Sequence, residues 1–149
     1  MVATWKEALD VVVDLYKDSW ARANTDNVKP VIIDIANEGP ERGKRLDLHK
    51  HDYILVYETA HNEEVPDLFY DFVTTRINIT VDIRTTRGRS RLRKMENEVR
   101  RLTHTNRKGD AVNFDRMVFK TRTDLSDRTK KLFRHTFQIE VVTLAETIP

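Results

Sequence analysis

The sequence contains no cysteine among its 149 residues, and only four glycines. The lack of cysteine excludes a disulfide framework and any thiolate metal site. None of the glycines has the spacing of a P-loop or of a dinucleotide-binding fingerprint. No run approaches the ~18 apolar residues of a membrane-spanning helix, and residues 1–10 carry charges where a signal peptide needs an apolar run. We therefore expect a soluble protein made in the cytoplasm, with no membrane partner.

The charge is nearly balanced overall but unevenly distributed along the chain. The formal net charge is +2 although 34% of the residues are charged, and so small a net charge does not indicate a general nucleic-acid binder. Residues 87–108, here called the basic segment, contain nine Lys or Arg against two Glu, whereas residues 58–71 are acidic. A chain with one basic and one acidic stretch is also compatible with self-complementary assembly.

Two amphipathic helices are predicted. Thr4 and Glu7 have the spacing of a capping box at the start of the first helix, which ends at 24–27. Its apolar residues recur at helical spacing: Trp5, Leu9, Val12, Val13, Tyr16 and Trp20. The second helix lies in the basic segment and has a narrow apolar stripe of Leu92, Met95, Val99 and Leu102. Gly109 is a plausible stop for it.

About five strands are predicted around these helices, at 31–35, 53–57, 76–85, 114–123 and 132–144. In the third strand Ile77, Ile79, Val81 and Ile83 alternate with polar residues that include Asp82. This alternation predicts one buried face and one solvated face. The polar stretches at 36–51 and 61–68 are predicted to be long loops that act as interaction arms.

The order of elements is therefore α–β–β–β–α–β–β. We predict one compact α+β domain over residues 1–149, with a mainly antiparallel sheet and both helices on one face.

The sequence matches none of three common kinds of catalytic or metal site completely. No serine lies in a glycine-flanked elbow. His49 and His51 have strand spacing for two metal ligands, but no further ligands follow in register. A metal-dependent nuclease would use Asp82 with Glu96 and Glu98, although pairing with helix-surface cations explains the two glutamates more simply. We expect no enzyme, and no catalytic residue, metal or cofactor.

The arginines of the basic segment then have three interpretations: a solvated face, a nucleic-acid contact or a subunit contact. No aromatic residue lies between 84 and 108, so any nucleic-acid contact would be with phosphates, without sequence preference and strongly dependent on salt. The candidate channel-lining or subunit-interface cations are Arg87, Arg89, Arg91, Arg93, Lys94, Arg100 and Arg101. The candidate acidic interface residues are Glu58, Glu63, Glu64 and Asp67.

One family resemblance follows from the order of elements over about residues 28–142. It is based on the runs TVDIRTTRGRSRLRKMENEVRRL, NRKGD and FDRMVFKTRTDLSDRTKKLFRHTFQIEVV. The last strand, after an Asp/Ser turn, has the pattern R-x-x-F-x-I-x-V in Arg134, Phe137, Ile139 and Val141. In these respects the chain resembles the tail-terminator and neck (head-to-tail joining) proteins of tailed bacterial and archaeal viruses.

The resemblance implies a structural virion protein that forms a homo-oligomeric ring, usually hexameric. Such a ring caps the tail tube and joins it to the head-completion and neck proteins. Its partners are copies of itself, the tail tube protein and the neck proteins, and genomic DNA passes through its channel. The resemblance implies assembly in the host cytoplasm and no catalytic residues. The alternative is a sequence-independent nucleic-acid-binding domain that uses the basic segment.

Overall fold

A computed structural model describes residues 7–35, 46–64, 72–108, 114 and 116–146 of the chain. Helix α1 is followed by a 3-10 turn, three strands, helix α2 and two further strands, so the predicted order and the α+β class are confirmed. The elements are α1 (Ala8–Ser19), the 3-10 turn (Arg22–Thr25), β1 (Val31–Asp34), β2 (Tyr53–Glu64), β3 (Phe72–Thr85), α2 (Arg89–Thr105), β4 (Arg116–Asp124) and β5 (Phe133–Glu146). The described helices include none that is long and apolar enough to cross a membrane.

The five strands form one sheet in the order β1-β2-β3-β5-β4. β1 and β2 are parallel, and every other neighbouring pair is antiparallel, which confirms the mainly antiparallel prediction. Val81 at the centre lies opposite Val56 on one side and Phe137 on the other. β2, β3 and β5 are the long strands, with 12, 14 and 14 residues.

Both helices pack on one face of this sheet, as predicted. The alternate residues of β3 that point to this face, such as Ile79 and Val81, are fully buried. Val12 and Tyr16 of α1 are in the same apolar cluster as Met95 of α2. Apolar residues that recur every 2 positions in the strands and every 3.6 positions in the helices therefore pack together in a single core.

The first predicted helix is shorter than expected at its C-terminal end. α1 ends at Ser19, and Trp20 has an extended backbone conformation with ψ of 122°. Trp20 is nevertheless 7% exposed, and its indole N–H donates to the Thr25 hydroxyl at 3.0 Å. The predicted capping box is wrong at Glu7, which is itself the N-cap of α1 and makes no side-chain cap. Its other member, Thr4, and the predicted helix stop Gly109 lie outside the described residues.

The prediction of a loop at 61–68 is wrong for residues 61–64. β2 does not end at Tyr57 but continues to Glu64, because it pairs with β3 until Glu64 lies opposite Thr74. The cross-strand ladder therefore extends a strand whose own sequence is polar. Residues 65–68, like most of the predicted arm at 36–51, lie outside the described residues.

The polar face of β3 is less solvated than its alternation predicts. Thr80 and Asp82 are only 2% and 1% exposed. Gln138 donates its amide to the Thr80 hydroxyl at 2.7 Å, and two arginines hold Asp82. Long side chains from neighbouring positions therefore shield the short ones, and the prediction of a wet face is wrong at the centre of the strand.

Candidate functional site: the basic helix and the acidic sheet extension

Helix α2 begins in an electrostatically unfavourable way. Gly88, at its N-cap, has φ of +110°, and the first turn contains no acidic residue and no side-chain cap. Arg89 and Arg91 instead place two cations where the helix dipole is positive, an arrangement that is unfavourable by a few tenths to ~1 kcal/mol per charge at the surface. An acidic side chain from another part of the fold can offset this unfavourable interaction with the helix dipole.

Asp52 supplies that charge by binding Arg91. The Nε of Arg91 donates to Asp52 Oδ2 at 2.8 Å, and the Thr85 hydroxyl donates to Asp52 Oδ1 at 2.5 Å. The other guanidinium nitrogens of Arg91 donate to the carbonyls of Thr25 and Val28. Arg91 therefore ties the start of α2 to the start of β2, the end of β3 and the 3-10 turn.

This arrangement corrects the assignment of Arg91 to a channel or subunit interface. Its side chain is 5% exposed, and that of Asp52 is 1% exposed. A buried pair whose remaining donors all reach carbonyl oxygens is held internally. Arg91 is therefore a structural residue. The sequence does not distinguish it from the exposed arginines that surround it.

The remaining candidate cations divide by helix face and by partner. Lys94 binds Asp26 at 2.6 Å, and this hydrogen bond holds the pKa of Asp26 below its usual value. Arg101 binds Glu98 and also donates to the Ser19 carbonyl at 3.3 Å. Both cations are thus engaged on the flank of α2 that faces the 3-10 turn.

Three arginines project from the other flank of the helix. At 100° per residue, Arg89, Arg93 and Arg100 fall within about 40° of one another, along about 16 Å of helix. All three are exposed. Arg100 lies over the ring of Phe119 at 5.2 Å. Within the described part of the chain, none of the three has an acidic partner. We call these three residues the arginine stripe.

Arg87 occupies an intermediate position just before the helix. Its Nε is 3.9 Å from Asp52 Oδ1, and it donates to the Lys50 carbonyl at 3.3 Å, with 43% of its side chain exposed. Arg87 therefore lies at the edge of the Asp52–Arg91 ion pair and remains accessible to solvent.

The acidic residues of α2 are not surface residues. Glu96 and Glu98 are 3% and 1% exposed, which corrects their interpretation as helix-surface partners of nearby cations. Glu98 does bind Arg101 at i+3, but it also accepts from Asn24 at 2.7 Å. These two glutamates face neighbouring elements because the apolar stripe is narrow and α2 packs beside β4 and the 3-10 turn.

Glu96 belongs to a second buried network, which joins α2 to β4 and β5. Arg122 donates to Glu96 Oε1 at 2.9 Å, and His135 Nδ1 lies 3.1 Å from Glu96 Oε2. Asp124 lies 3.6 Å from the other ring nitrogen of His135. Hydrogen bonds from Ser126 lower the pKa of Asp124, with the hydroxyl contributing most.

The carboxylates proposed for a nuclease are not brought together. Asp82 lies on the open face of the sheet, where Arg84 and Arg134 bind it at 2.8 and 2.9 Å. Glu96 approaches the opposite face from α2. His49 and His51 are exposed, and the described residues contain no group of three His, Asp or Glu side chains placed to hold a metal.

Glu63 and Glu64 lie where the sheet extends past the described helices. Met117 pairs with Val141 and donates its N–H to the carbonyl of Arg107, just after the C-terminal end of α2. This end of α2 therefore lies at the level of the Met117–Val141 pair. Beyond it we define the sheet extension as 61–64 of β2, 72–76 of β3 and 142–146 of β5. Its five β3 residues span about 16 Å.

Glu63 and Glu64 lie on β2 within the sheet extension, Glu58 precedes it on the same strand, and Asp67 lies outside the described residues. Glu63 and Glu64 expose 61% and 62% of their side chains. His61 lies between Glu58 at 3.5 Å and Glu63 at 3.1 Å, and Glu64 is 3.7 Å from Arg76. These acids are accessible, as an interface role requires.

Neither a family model nor a curated protein matches this chain.

Proposed function

We propose that this protein is a structural virion subunit of the tail-terminator or neck type. It assembles into a homo-oligomeric ring of six copies, which caps the tail tube and joins it to the head-completion and neck proteins of a tailed virus. It acts by contact with copies of itself and with these neighbours, and the proposal includes no catalytic residue and no cofactor.

One observation carries the proposal: Arg89 of α2 and the exposed Glu63 and Glu64 of β2 lie at opposite ends of the sheet. Arg89 follows directly after the end of β3, near Thr85, whereas Glu64 lies opposite Thr74 at the start of β3. The eleven steps along the strand from Thr74 to Thr85 correspond to about 36 Å. A single copy cannot bring the two ends together, but two neighbouring copies can.

Such a distribution suits a ring because rings need heterologous contacts. In a heterologous interface one patch meets a different patch of the next copy, and a closed rotation then gives a ring. The sheet extension supports this arrangement since it projects beyond the described helices and its Glu63 and Glu64 are exposed.

The test is electron microscopy and native mass spectrometry of the purified protein, alone and captured with its tails. We expect sixfold rings and a mass of six copies. A strictly monomeric species at high concentration that also fails to associate with tails would contradict the proposal. A gene position between portal or capsid genes and a tail-tube or tape-measure gene would support it.

The arginine stripe favours a second candidate function, sequence-independent binding of nucleic acid. Its cations have no carboxylate partner in the described residues and lie along one line, as contacts with successive phosphates require. This function is also compatible with a ring whose channel passes DNA.

Its test is binding to unrelated DNA duplexes over a range of salt concentrations. We expect affinity to fall steeply with salt, and Arg93→Glu with Arg100→Glu to reduce both the affinity and the salt slope, because each phosphate contact contributes about 0.9 to that slope. Arg22→Glu is the matched control, since Arg22 is exposed and lies in the 3-10 turn, which faces the opposite flank of α2. Absence of binding at low salt would exclude this candidate.

A further inference from the structure

Two arginines meet on the open face of the sheet, the face opposite the helices. Arg84 of β3 and Arg134 of β5 are cross-strand neighbours, and both bind the buried Asp82. Arg84 donates from Nε and Nη2 to Asp82 Oδ2 at 3.2 and 2.8 Å. Arg134 donates from Nε to Oδ1 at 3.0 Å and from Nη2 to Oδ2 at 2.9 Å. One carboxylate therefore holds both guanidinium groups in place.

This cluster carries one positive charge in surplus. Two guanidinium groups share a single carboxylate, and within the described residues no second acid is paired with either of them. Each guanidinium has five N–H donors. Two of these reach Asp82, so three on each arginine have no partner in the described part of the chain. Since like charges opposite each other across a strand pair are destabilising, a second anion stabilises the cluster.

The arrangement of the two arginines suits one oxyanion. Their Nη2 atoms contact the same oxygen of Asp82, so they are close enough for a second oxygen to bridge them from the solvent side. Planar guanidinium groups bind carboxylates and phosphates through such pairs of donors. The side chains of Arg84 and Arg134 are 26% and 28% exposed, so the site is accessible but recessed.

The position of the site favours a protein carboxylate over a nucleic-acid phosphate. The arginine stripe belongs to α2, which packs on the other face of the sheet, so a duplex bound along the stripe lies on the opposite side from Arg84 and Arg134. The stripe is also exposed, whereas these two arginines are recessed. One surplus charge in a recess suits a single protruding acidic side chain better than the row of phosphates on a duplex.

Glu63 of the sheet extension is placed to supply such a carboxylate. Directly paired residues of neighbouring strands point to the same face of a sheet. Glu63 pairs with Thr75 and therefore points to the helix side, as Ile77 does, whereas Glu64 pairs with Thr74 and points to the open face. The extension projects beyond the described helices, and the Glu63 side chain is 61% exposed.

The directions of the two glutamates give different assemblies. The helix side of one extension can lie over the open face of the next copy, so that Glu63 contacts a patch unlike its own. This is a heterologous contact, which a ring requires. A contact through Glu64 instead brings two open faces together, which is the arrangement of a two-fold dimer.

We propose that Arg84 and Arg134 of one copy bind the Glu63 carboxylate of the next copy, and that Asp82 positions the two arginines for it. This inference rests on the proposed ring, and it names a contact between its subunits.

A double-mutant cycle on self-association tests this contact. Arg84→Gln removes the surplus charge but leaves Asp82 bound by Arg134, and Glu63→Gln removes the charge of the bound carboxylate. We expect each substitution to weaken association about tenfold. The chain with both should be weakened by about the same factor as either alone, because contacting residues are not additive. Arg22→Gln, exposed and on the helix side, is the control and should leave association unchanged.

Sedimentation gives the dissociation constants, and circular dichroism verifies that each variant folds. Glu63 is exposed, so Glu63→Gln tests the contact even if Arg84→Gln were to unfold the chain. Unchanged association in Glu63→Gln, or separate effects that multiply to about a hundredfold in the combined chain, would overturn the contact. Rings seen by microscopy in that case would leave the ring proposal standing.

Two further measurements identify other occupants of the site. Coupling of Arg84→Gln to Glu64→Gln and not to Glu63→Gln would show a dimer through the open faces and overturn the contact. A loss of DNA affinity in Arg84→Gln, with association unchanged, would assign the arginines to nucleic acid and also overturn it. A natural chain that neither self-associates nor binds tails would overturn both this contact and the ring.

Discussion

At the end of the sheet where α2 begins, the side chains of Asp52 and Arg91 are 1% and 5% exposed, whereas at the other end Glu63 and Glu64 expose 61% and 62% of theirs. Both ends are rich in charge in the sequence. At the first end the helix, the 3-10 turn and two strands converge, and the buried charges find hydrogen-bond partners within the chain. At the second end the sheet extends past the described helices, and Glu63 and Glu64 remain exposed.

The comparison shows that charge density alone does not identify an interaction surface. A buried ion pair tolerates desolvation only when each partner is also satisfied by further hydrogen bonds, as Arg91 is by two backbone carbonyls. An exposed ion pair contributes about 0–1 kcal/mol. Substitutions at the two ends should therefore affect different measurements, stability at the first and association at the second.

The largest expected effect is that of Arg91→Ala. It leaves the buried Asp52 carboxylate without its cation and two carbonyls without the Arg91 donors, so we expect a loss of about 3–5 kcal/mol in the free energy of unfolding. Chemical denaturation measures it. Arg93→Ala, two residues away and exposed, is the matched control and should change stability by no more than about 0.5 kcal/mol. Equal losses of stability from the two substitutions would contradict a structural role that is specific to the buried arginine.

Asp82→Asn should have the next largest effect, on the open face between the two ends. Arg84 and Arg134 lie directly opposite each other and share this one carboxylate. Without its charge two like charges face each other across the strands. Because both arginines are about a quarter exposed, solvent reduces the cost, and we expect about 1–3 kcal/mol. Asp47→Asn, an exposed acid, is the control in the same denaturation experiment and should be nearly neutral.

Glu140→Gln should have a smaller effect that depends on pH. Burial raises the pKa of Glu140, but its hydrogen bonds and attraction to Lys120 and then Arg76 outweigh this and hold the pKa below its usual value. A lowered folded-state pKa contributes stability above the unfolded pKa of about 4.3, and this contribution disappears as the pH falls through the folded pKa.

The corresponding measurement is denaturation of both proteins as a function of pH. At pH 7 we expect the variant to be less stable by about 0.5–1 kcal/mol, since Lys120 and Arg76 are partly exposed. The two stabilities should converge in acid. A constant difference at every pH would show that Glu140 acts through packing and not through its charge.

The smallest effect on stability is expected from Glu63→Gln with Glu64→Gln in the sheet extension. Their partners His61 and Arg76 are also exposed to solvent, so thermal or chemical unfolding of the isolated chain should change by no more than about 0.5 kcal/mol. Sedimentation of the same variant should nevertheless show weaker self-association. A large loss of stability would instead show that these two glutamates stabilise the fold.

Much of the fold was predictable from the sequence because its periodicities are strong. The alternation of Ile77, Ile79, Val81 and Ile83 requires a strand with a buried face, and the stripe from Leu92 to Leu102 requires an amphipathic helix. The errors concern features that depend on partners distant in sequence. β2 continues to Glu64 because it pairs with β3, and the buried Thr80 accepts a hydrogen bond from Gln138.

The candidate site was less predictable for the same reason. A signal for Arg91 was present, since it falls near the apolar stripe of Leu92 and Met95. Its partner Asp52 lies 39 residues away, and local periodicity does not reveal a contact over that separation.

The sequence by itself determined the order of elements, the helix-facing core and the presence of one acidic and one basic segment, because these depend on local periodicity and composition. Only the tertiary structure decided which charges are internal and which are accessible. A side chain's exposure depends on every element that packs around it, and in this protein those elements come from segments of the chain far apart in sequence.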